Sequence, residues 1–133
     1  MNDIKYKDVL VASIGNIYNM QEEKVFSANP SDPLQYGVFK LPKGEILQRH
    51  IHKTRRRLTP HKTLEYLYIV SGALEVTFYT LDKEVLCSRV LTTGDFVMLY
   101  DGGHGFKSLL DGTRFIEIKN GPYIGVEYDK EKF

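Results

Sequence analysis

Hydrophobic positions along the chain fall in short runs, some alternating with polar residues, and glycine, proline, asparagine and aspartate separate the runs. A period of two is typical of half-buried β-strands, and the many β-branched and aromatic residues in the runs favour the same structure. Helical periodicity is weak throughout. The predicted strands are Val9–Ile14, Tyr36–Leu41, Glu45–His52, Leu64–Val70, Ala73–Tyr79, Val85–Leu91, Phe96–Tyr100, Phe106–Leu109 and Arg114–Lys119.

Turn residues separate these strands at regular intervals, and this spacing predicts the fold class. Ser71 and Gly72, for example, lie between two apolar strands and are typical of a hairpin turn. Eight to ten short strands at such intervals indicate an all-β sandwich or barrel. A length of 133 residues predicts one domain over residues 1–133.

Composition narrows the class of protein without identifying it. Hydrophobic residues make up 42% and charged residues 26% of the chain, as in ordinary globular domains. The net charge of +1, from 18 basic and 17 acidic residues, argues against nucleic acid as a partner. The apolar runs are far shorter than the ~20 residues of a membrane helix. Cys87 is the only cysteine, which excludes an intrachain disulfide and predicts a reducing, cytoplasmic location.

The sequence His50-Ile51-His52 is the first candidate for chemistry. Residues two apart in a strand face the same side, so both imidazoles point in the same direction. Two adjacent imidazoles are a suitable start for a divalent metal site. By itself the motif does not distinguish such a site from two surface or hydrogen-bonded histidines.

Glu65 is the second candidate, because it opens the most apolar of the predicted strands. Glu65, Leu67 and Ile69 share one face of that strand. A carboxylate on a buried face is costly unless it is paired, protonated or bound to a metal. If this face is the interior of a barrel, Glu65 therefore needs a cation.

Two separated groups of residues resemble the two sequence motifs of the cupin superfamily. The first motif, G-x5-H-x-H-x3-4-E-x6-G, is matched by Gly44, His50, His52, Glu65 and Gly72. The second motif, G-x5-P-x-G-x2-H, is matched by Gly94, Gly102 and His104. The resemblance spans residues 44–104, with motif segments 44–72 and 94–104, and the flanking strands fit the same barrel.

The chain departs from these motifs in two places. Twelve residues, Lys53–Leu64, precede Glu65 where cupins have three or four, and such an insertion is tolerable because loop-closure entropy grows slowly with length. In the second motif Tyr100 replaces the proline, and His104 follows Gly102 one residue early.

His61 offers an alternative assignment, since it lies at the usual cupin spacing before Glu65. That alignment would place Thr59 at the first histidine and leave Gly44 without a role. We therefore prefer the pair at 50 and 52, with His61 as an accessory ligand, a general base or an exposed loop residue.

The resemblance implies an antiparallel β-barrel of the cupin type, that is, a jelly roll or double-stranded β-helix. It also implies one divalent transition metal ion (Fe, Mn, Ni, Zn or Cu), bound by His50, His52, Glu65 and His104. A narrower resemblance is to small bacterial cupins of surface-polysaccharide and sugar-nucleotide biosynthesis. It lies in HIHK with the basic loop after it, in GDFVMLYDGGHGF and in IEIKNGPYIGVEYDKEKF. It implies a small-molecule ligand, a carbohydrate or sugar-nucleotide-like substrate, and an isomerase, epimerase or dioxygenase reaction.

Other polar residues are candidates for substrate contact. Arg57, in the basic segment KTRRR, is suited to an anionic group, although a solvated loop has the same composition. Gln35 and Gln48 are candidate hydrogen-bonding groups in the lumen. Tyr100, at the predicted mouth of the barrel, and Glu117, as an acid or base, are the candidate catalytic residues. Glu117 fits an outward-facing strand carboxylate equally well.

Two alternatives to a metal-dependent enzyme follow from the same residues. One is a metal-free isomerase or epimerase with histidines as acid and base. The other is a non-catalytic module that binds a small ligand. The edges left in a cupin-type barrel favour strand exchange, so we expect a homodimer in which the N-terminal strand crosses over.

Overall fold

In the residues that the structure describes, the fold consists of two five-stranded antiparallel sheets and two small hairpins. It is given by a computed structural model that describes residues 2–14, 16–27, 29–55, 61–122 and 129–133. Strands are numbered in chain order. The first sheet contains, in spatial order, β10 (Val85–Thr92), β9 (Ala73–Tyr79), β12 (Gly103–Ser108), β5 (Ile46–His52) and β14 (Lys130–Lys132).

The second sheet faces the first, and its five strands lie between residues 24 and 120 of the chain. Its spatial order is β11 (Phe96–Leu99), β8 (Glu65–Ser71), β13 (Thr113–Asn120), β4 (Leu34–Leu41) and β3 (Lys24–Phe26). The two hairpins are β1 (Asn2–Tyr6) with β2 (Val9–Ile14), and β6 (Thr54–Arg55) with β7 (His61–Lys62). No helix in the described ranges is long and apolar enough to cross a membrane.

The hydrophobic core lies between the two sheets, where alternate residues of the strands meet. In β8 and β13 the inward residues are almost fully buried, and Phe115 stacks on Phe39 with ring centroids 4.5 Å apart. Burial of each large apolar side chain contributes roughly 1.5–3 kcal/mol. The buried core cluster is Phe39, Leu41, Leu67, Ile69, Leu74, Val76, Leu99, Phe106 and Phe115.

The predicted all-β, antiparallel class is confirmed. One strand differs from the prediction in a way that matters for the site: β12 begins at Gly103 rather than at Phe106. Gly103 and His104 pair with β5 on one side and β9 on the other, so backbone hydrogen bonding extends the strand through glycine-rich sequence. This extension places His104 inside a sheet rather than in a turn.

The Lys53–Leu64 insertion forms a short hairpin where its residues are described. Thr54 pairs with Lys62 and Arg55 pairs with His61. The chain thus leaves the first sheet after β5 and enters the second sheet at Glu65. The insertion leaves Glu65 at the inward start of β8, as the loop-entropy argument anticipates.

One backbone conformation explains why glycine occupies four positions of the two motifs. Gly44, Gly72, Gly94 and Gly102 all have positive φ, between 78° and 89°, a region that residues with a Cβ rarely adopt. At Gly72 a Cβ would also lie 2.6 Å from the Cα of Thr113, whereas at Gly44 no atom lies within 4 Å. A side chain at Gly44 would therefore meet only the strain of positive φ, whereas one at Gly72 would also clash with Thr113.

We expect Gly44→Ala to lower the free energy of unfolding by about 1–2 kcal/mol, the cost of a left-handed conformation. Gly72→Ala adds the clash with Thr113, so its loss should be larger by about 1–3 kcal/mol. Urea unfolding of both variants measures the difference. Equal losses would show that the approach of Thr113 to Gly72 does not constrain the turn.

Candidate metal centre

Three histidines of the first sheet converge on its inner face. His104 on β12 lies directly opposite His50 on β5 in the antiparallel register. Between His104 and Phe106 the register shifts, because β5 has two residues between Leu47 and His50 where β12 has only Gly105. This β-bulge lets both Leu47 and His50 face the interior. The imidazole centroids of His50, His52 and His104 lie 4.5–5.5 Å from one another.

Glu65 reaches the same point from the facing sheet. It begins β8 and is 1% exposed, and Leu67 and Ile69 continue its buried face. Its Oε1 lies 3.0 Å from His52 Nε2, and its Oε2 lies 3.3 Å from His104 Nε2. One atom from each of the three histidines and Glu65 lies within 4.8 Å of the others.

The donor atoms of this cluster fit a metal ion. In the part of the chain that the structure describes, the Nε2 atoms of His50, His52 and His104 and Oε2 of Glu65 are buried without a hydrogen-bond partner. Metal bonds of about 2.1 Å place ligand atoms at most about 4.2 Å apart, so a small inward movement suffices. Buried polar atoms that converge in this way are the ligands of an ion rather than of one another.

The protonation of His50 is fixed by its backbone contact. Its Nδ1 lies 3.0 Å from the carbonyl oxygen of Gln48. A carbonyl only accepts, so Nδ1 donates the proton and Nε2 carries the lone pair that faces the cluster. Burial, helped by the charges of His104 and Lys130, lowers the pKa of His50 to about 3. His50 is therefore a neutral ligand near pH 7.

The pKa values of Glu65 and His52 are shifted because the charged groups of the cluster lie close together. Burial raises the pKa of Glu65, but contacts with His104 and His52 outweigh it and hold this pKa well below its usual range. Burial lowers the pKa of His52, but the carboxylates of Asp129 and Glu65 outweigh it and raise this pKa to about 9. In the absence of a cation, a protonated His52 balances an ionised Glu65, and a bound cation replaces that proton.

Two residues behind His52 were not predicted from the sequence. Asp129 Oδ2 lies 3.3 Å from His52 Nδ1, the nitrogen that faces away from the cluster. Thr63 donates its hydroxyl hydrogen to Asp129 Oδ1. Asp129 lies in a polar segment more than 60 residues from either partner, so neither spacing nor alternation signals the contact.

Glu117 faces the interior, in line with the buried Phe115 of β13. Its Oε1 lies 3.8 Å from Lys119 Nζ, and Lys119 pairs in register with Glu65. Burial, together with the negative charge of Glu65, raises the pKa of Glu117 from 4.5 to about 7, against the effect of Lys119. A buried carboxyl group that titrates near neutral pH lies beside the cluster.

Tyr100 lies at the entrance to the cluster and is 70% exposed. It lines, with Asp101, His52 and His104, a cavity of about 10 Å³, enough for about one water molecule. This cavity connects two of the candidate ligands with the surface.

The other sequence-predicted residues have different surroundings. The amide nitrogen of Gln35 donates to the carbonyl oxygens of Asn29 and Asp32, which supports a turn. The amide nitrogen of Gln48 donates to the carbonyl oxygen of Phe133. Both side-chain amides thus bond to backbone carbonyl oxygens, and a role of either residue in substrate binding stays a prediction. Arg57 lies outside the described residues.

The cluster contains His50 and His52, the pair that preserves the role of Gly44. His61 lies on β7, opposite Arg55. The departure of the second motif does not misdirect His104, since the early start of β12 carries its side chain into the cluster.

No family model matches the sequence, and neither does any curated protein. The fold is similar to oxalate decarboxylase from Bacillus subtilis at pH 4.6, with a TM-score of 0.59 and 20% identity over 77% of this chain and 24% of that chain. A structure of the same enzyme, from work on its Mn(II) centres, has a TM-score of 0.56 and 20% identity over 77% and 24% of the two chains. Another oxalate decarboxylase structure, from work on the substrate binding mode, has 0.58 and 19% over the same shares.

This chain spans about a quarter of the length of these oxalate decarboxylases. Oxalate decarboxylases are cupins, so the similarity confirms the predicted cupin-type β-barrel. At this level of identity it establishes the fold alone.

The raised pKa of Glu117 predicts how stability depends on pH in chelator-treated, metal-free protein. Between pH 4.5 and about 7 the folded protein binds more protons at this group than the unfolded chain does, so Glu117 destabilises the fold as pH rises. Glu117→Gln removes this titration. We expect the variant to gain stability over wild type from pH 5 to pH 8, by up to about 3 kcal/mol.

Urea unfolding across this pH range makes the measurement. Glu84→Gln, which changes an exposed carboxylate, is the control and should stay within about 0.5 kcal/mol of wild type. A constant difference between Glu117→Gln and wild type over this range would contradict the buried, raised-pKa environment of Glu117.

Proposed function

We propose that this chain is a metal-binding cupin in which His50, His52, Glu65 and His104 hold one divalent transition metal ion. The observation that carries the proposal is the convergence of four buried donor atoms from two facing sheets, none of which has a hydrogen-bond partner in the described ranges. An apolar core excludes such groups unless something compensates them.

The donor set of three imidazoles and one carboxylate suits Mn, Fe, Ni, Zn or Cu. Mn(II) is the first ion to test, because the oxalate decarboxylase to which the fold is similar has Mn(II) centres. A bound ion would act as a Lewis acid that polarises a carbonyl or enediolate oxygen, or would activate oxygen.

The proposed substrate is a small, anionic molecule of the carbohydrate or sugar-nucleotide type, and the reaction an isomerisation, epimerisation or dioxygenation. Lys119, beside Glu117 and next to Glu65 in register, supplies a cation near the cluster that suits an anionic group. Glu117 would transfer a proton at its carboxyl group, since its pKa lies near 7. Tyr100 would contact the substrate at the entrance, and Arg57 would bind its anionic part.

A metal-free isomerase or epimerase is the second candidate, and one observation favours it. Glu117, with a pKa raised to about 7 by burial, is matched to acid–base chemistry without an ion. Full turnover in excess chelator would support this candidate, and loss of turnover that is restored by an added ion would support the first. Substrate screens should include small carboxylates such as oxalate, the substrate in the names of the structural neighbours.

We expect the purified protein to contain close to one divalent ion per chain after growth in metal-replete medium. His52→Ala combined with His104→Ala removes two donors and should abolish binding. Glu65→Gln keeps the shape but removes the anionic donor, and should weaken binding by more than about 100-fold, since even the loss of a group that only supports a ligand costs about 10–100-fold. Elemental analysis and competition with a chelator measure both effects.

Glu45→Gln is the matched control for the loss of a carboxylate. Glu45 pairs with Lys24 at 3.6 Å, away from the cluster, and its removal should leave the metal content unchanged. A wild-type protein that binds no ion, or an equal loss in Glu45→Gln, would contradict the proposal.

We also propose that the protein has one domain over residues 1–133 and is located in the cytoplasm. We further propose that it forms the homodimer that the sequence predicts. Within the described part of the chain, the hairpin of β1 and β2 joins neither sheet and exposes Ile4, Tyr6 and Ile14. An isolated two-stranded hairpin is marginal in water, so contact with a second copy would stabilise it.

Size-exclusion chromatography with light scattering should therefore give about twice the chain mass of 15.3 kDa. Tyr6→Asp, which places a charge on the exposed face of the hairpin, should shift the mass toward that of one chain. A mass of one chain for wild type at micromolar concentration would refute the dimer.

A further inference from the structure

Asp129 is buried directly behind His52. Its side chain is 1% exposed, and its Oδ2 lies 3.3 Å from Nδ1 of the imidazole. The donor atoms that lie within 4.8 Å of one another come from the other four residues, so Asp129 lies outside the ligand set. The carboxylate thus faces the side of His52 that is opposite to the cluster.

Asp129 is held through its side chain and through its backbone. Thr63 donates its hydroxyl hydrogen to Oδ1, which leaves Oδ2 directed at His52. The backbone N–H of Lys53 donates to the carbonyl oxygen of Asp129 at 2.8 Å. Lys53 and Thr63 lie near the two ends of the insertion, so both ends contact Asp129.

The segment that carries Asp129 is itself anchored on the first sheet. Strand β14 pairs with β5, with Lys130 opposite His52. Gln48 and Arg49 donate side-chain hydrogen bonds to the carbonyl oxygen of Phe133, at 2.8 and 2.6 Å. The Phe133 ring lies over Gly103, where a Cβ would come within 2.9 Å of it. The position of Asp129 thus depends on this docked strand.

We propose that Asp129 is a positioning residue for the metal centre, which orients His52 so that Nε2 faces the other three donor atoms. The inference rests on the proposed function. A carboxylate on the outer nitrogen of a ligand histidine fixes the ring and its tautomer and strengthens the inner nitrogen as a donor. Docking of 129–133 thereby contributes to metal affinity.

Asp129→Asn tests the role directly, because it keeps the shape and an acceptor oxygen for Thr63 but removes the charge that faces His52. In competition with a chelator, with Mn(II) or Zn(II) added alone, we expect the dissociation constant to rise about 10–100-fold. Glu131→Gln is the matched control, since it removes a carboxylate two residues further along the same segment, which pairs with Lys83 at the surface. Its effect should be less than about twofold.

A second measurement separates orientation of His52 from a general loosening of the fold. In a His52→Ala background, Asp129→Asn should leave the residual Zn(II) dissociation constant unchanged, because the imidazole that it orients is gone. An undiminished loss of about 10–100-fold in that background would overturn the proposal, as would an unchanged affinity of Asp129→Asn alone.

The metal-free protein keeps this inference distinguishable from the proposed function. There, Asp129→Asn and His52→Ala should change the unfolding equilibrium constant non-additively, by about threefold or more. Additive effects would show that Asp129 does not hold His52, whatever the protein binds. If the wild-type protein binds no ion but the two substitutions are non-additive, the metal site is refuted, whereas the positioning of His52 by Asp129 is supported.

Discussion

The structure depends on one constraint, the burial of the Glu65 carboxylate between two sheets. An ionised carboxylate in an apolar interior costs several kcal/mol unless opposite charge and donors surround it. Glu65 stays ionised because His52 and His104 contact its two oxygens. His52 and His104 cannot leave this position without depriving the buried carboxylate of its partners, so the charge of Glu65 links the inner faces of both sheets.

Two histidines near Glu65, His50 and His52, differ in their protonation. His50 is neutral, with its outer nitrogen bonded to a backbone carbonyl, whereas His52 lies between two carboxylates. The two members of one short motif thus have opposite electrostatic surroundings. A divalent cation would find one donor already free of its proton and would displace the proton of the other.

The ligand set could be predicted from the sequence because each motif is local. The pair at 50 and 52 shares a strand face, and the motif glycines mark turns whose positive φ values other residues rarely adopt. Asp129 could not be predicted, because its partner is set by the docking of a distant strand. Gln35 and Gln48 are polar and near the barrel in sequence, but their amides bond to backbone carbonyls that only the folded chain brings close.

The sequence predicted the surroundings of Glu117 and the conformation of the hairpin insertion only in part. From the sequence, Glu117 fitted the inner and the outer face of its strand equally well. The packing of β13 against the core places Glu117 on the inner face, with Phe115. The length of the insertion predicted a loop that leaves Glu65 in place, but strand pairing between Thr54 and Lys62 depends on tertiary context that composition does not encode. Local pattern identified the elements, and long-range pairing determined which faces met.

The extra residue of β5 between Leu47 and His50 has an evolutionary consequence. Along a pleated strand, side chains point in and out by parity, and this one residue reverses the parity between the apolar half of β5 and its histidine half. A lineage that lost it would keep a hydrophobic barrel while turning both imidazoles toward solvent. Gain or loss of chemistry in such a barrel would then require a single-codon insertion or deletion rather than the replacement of any ligand.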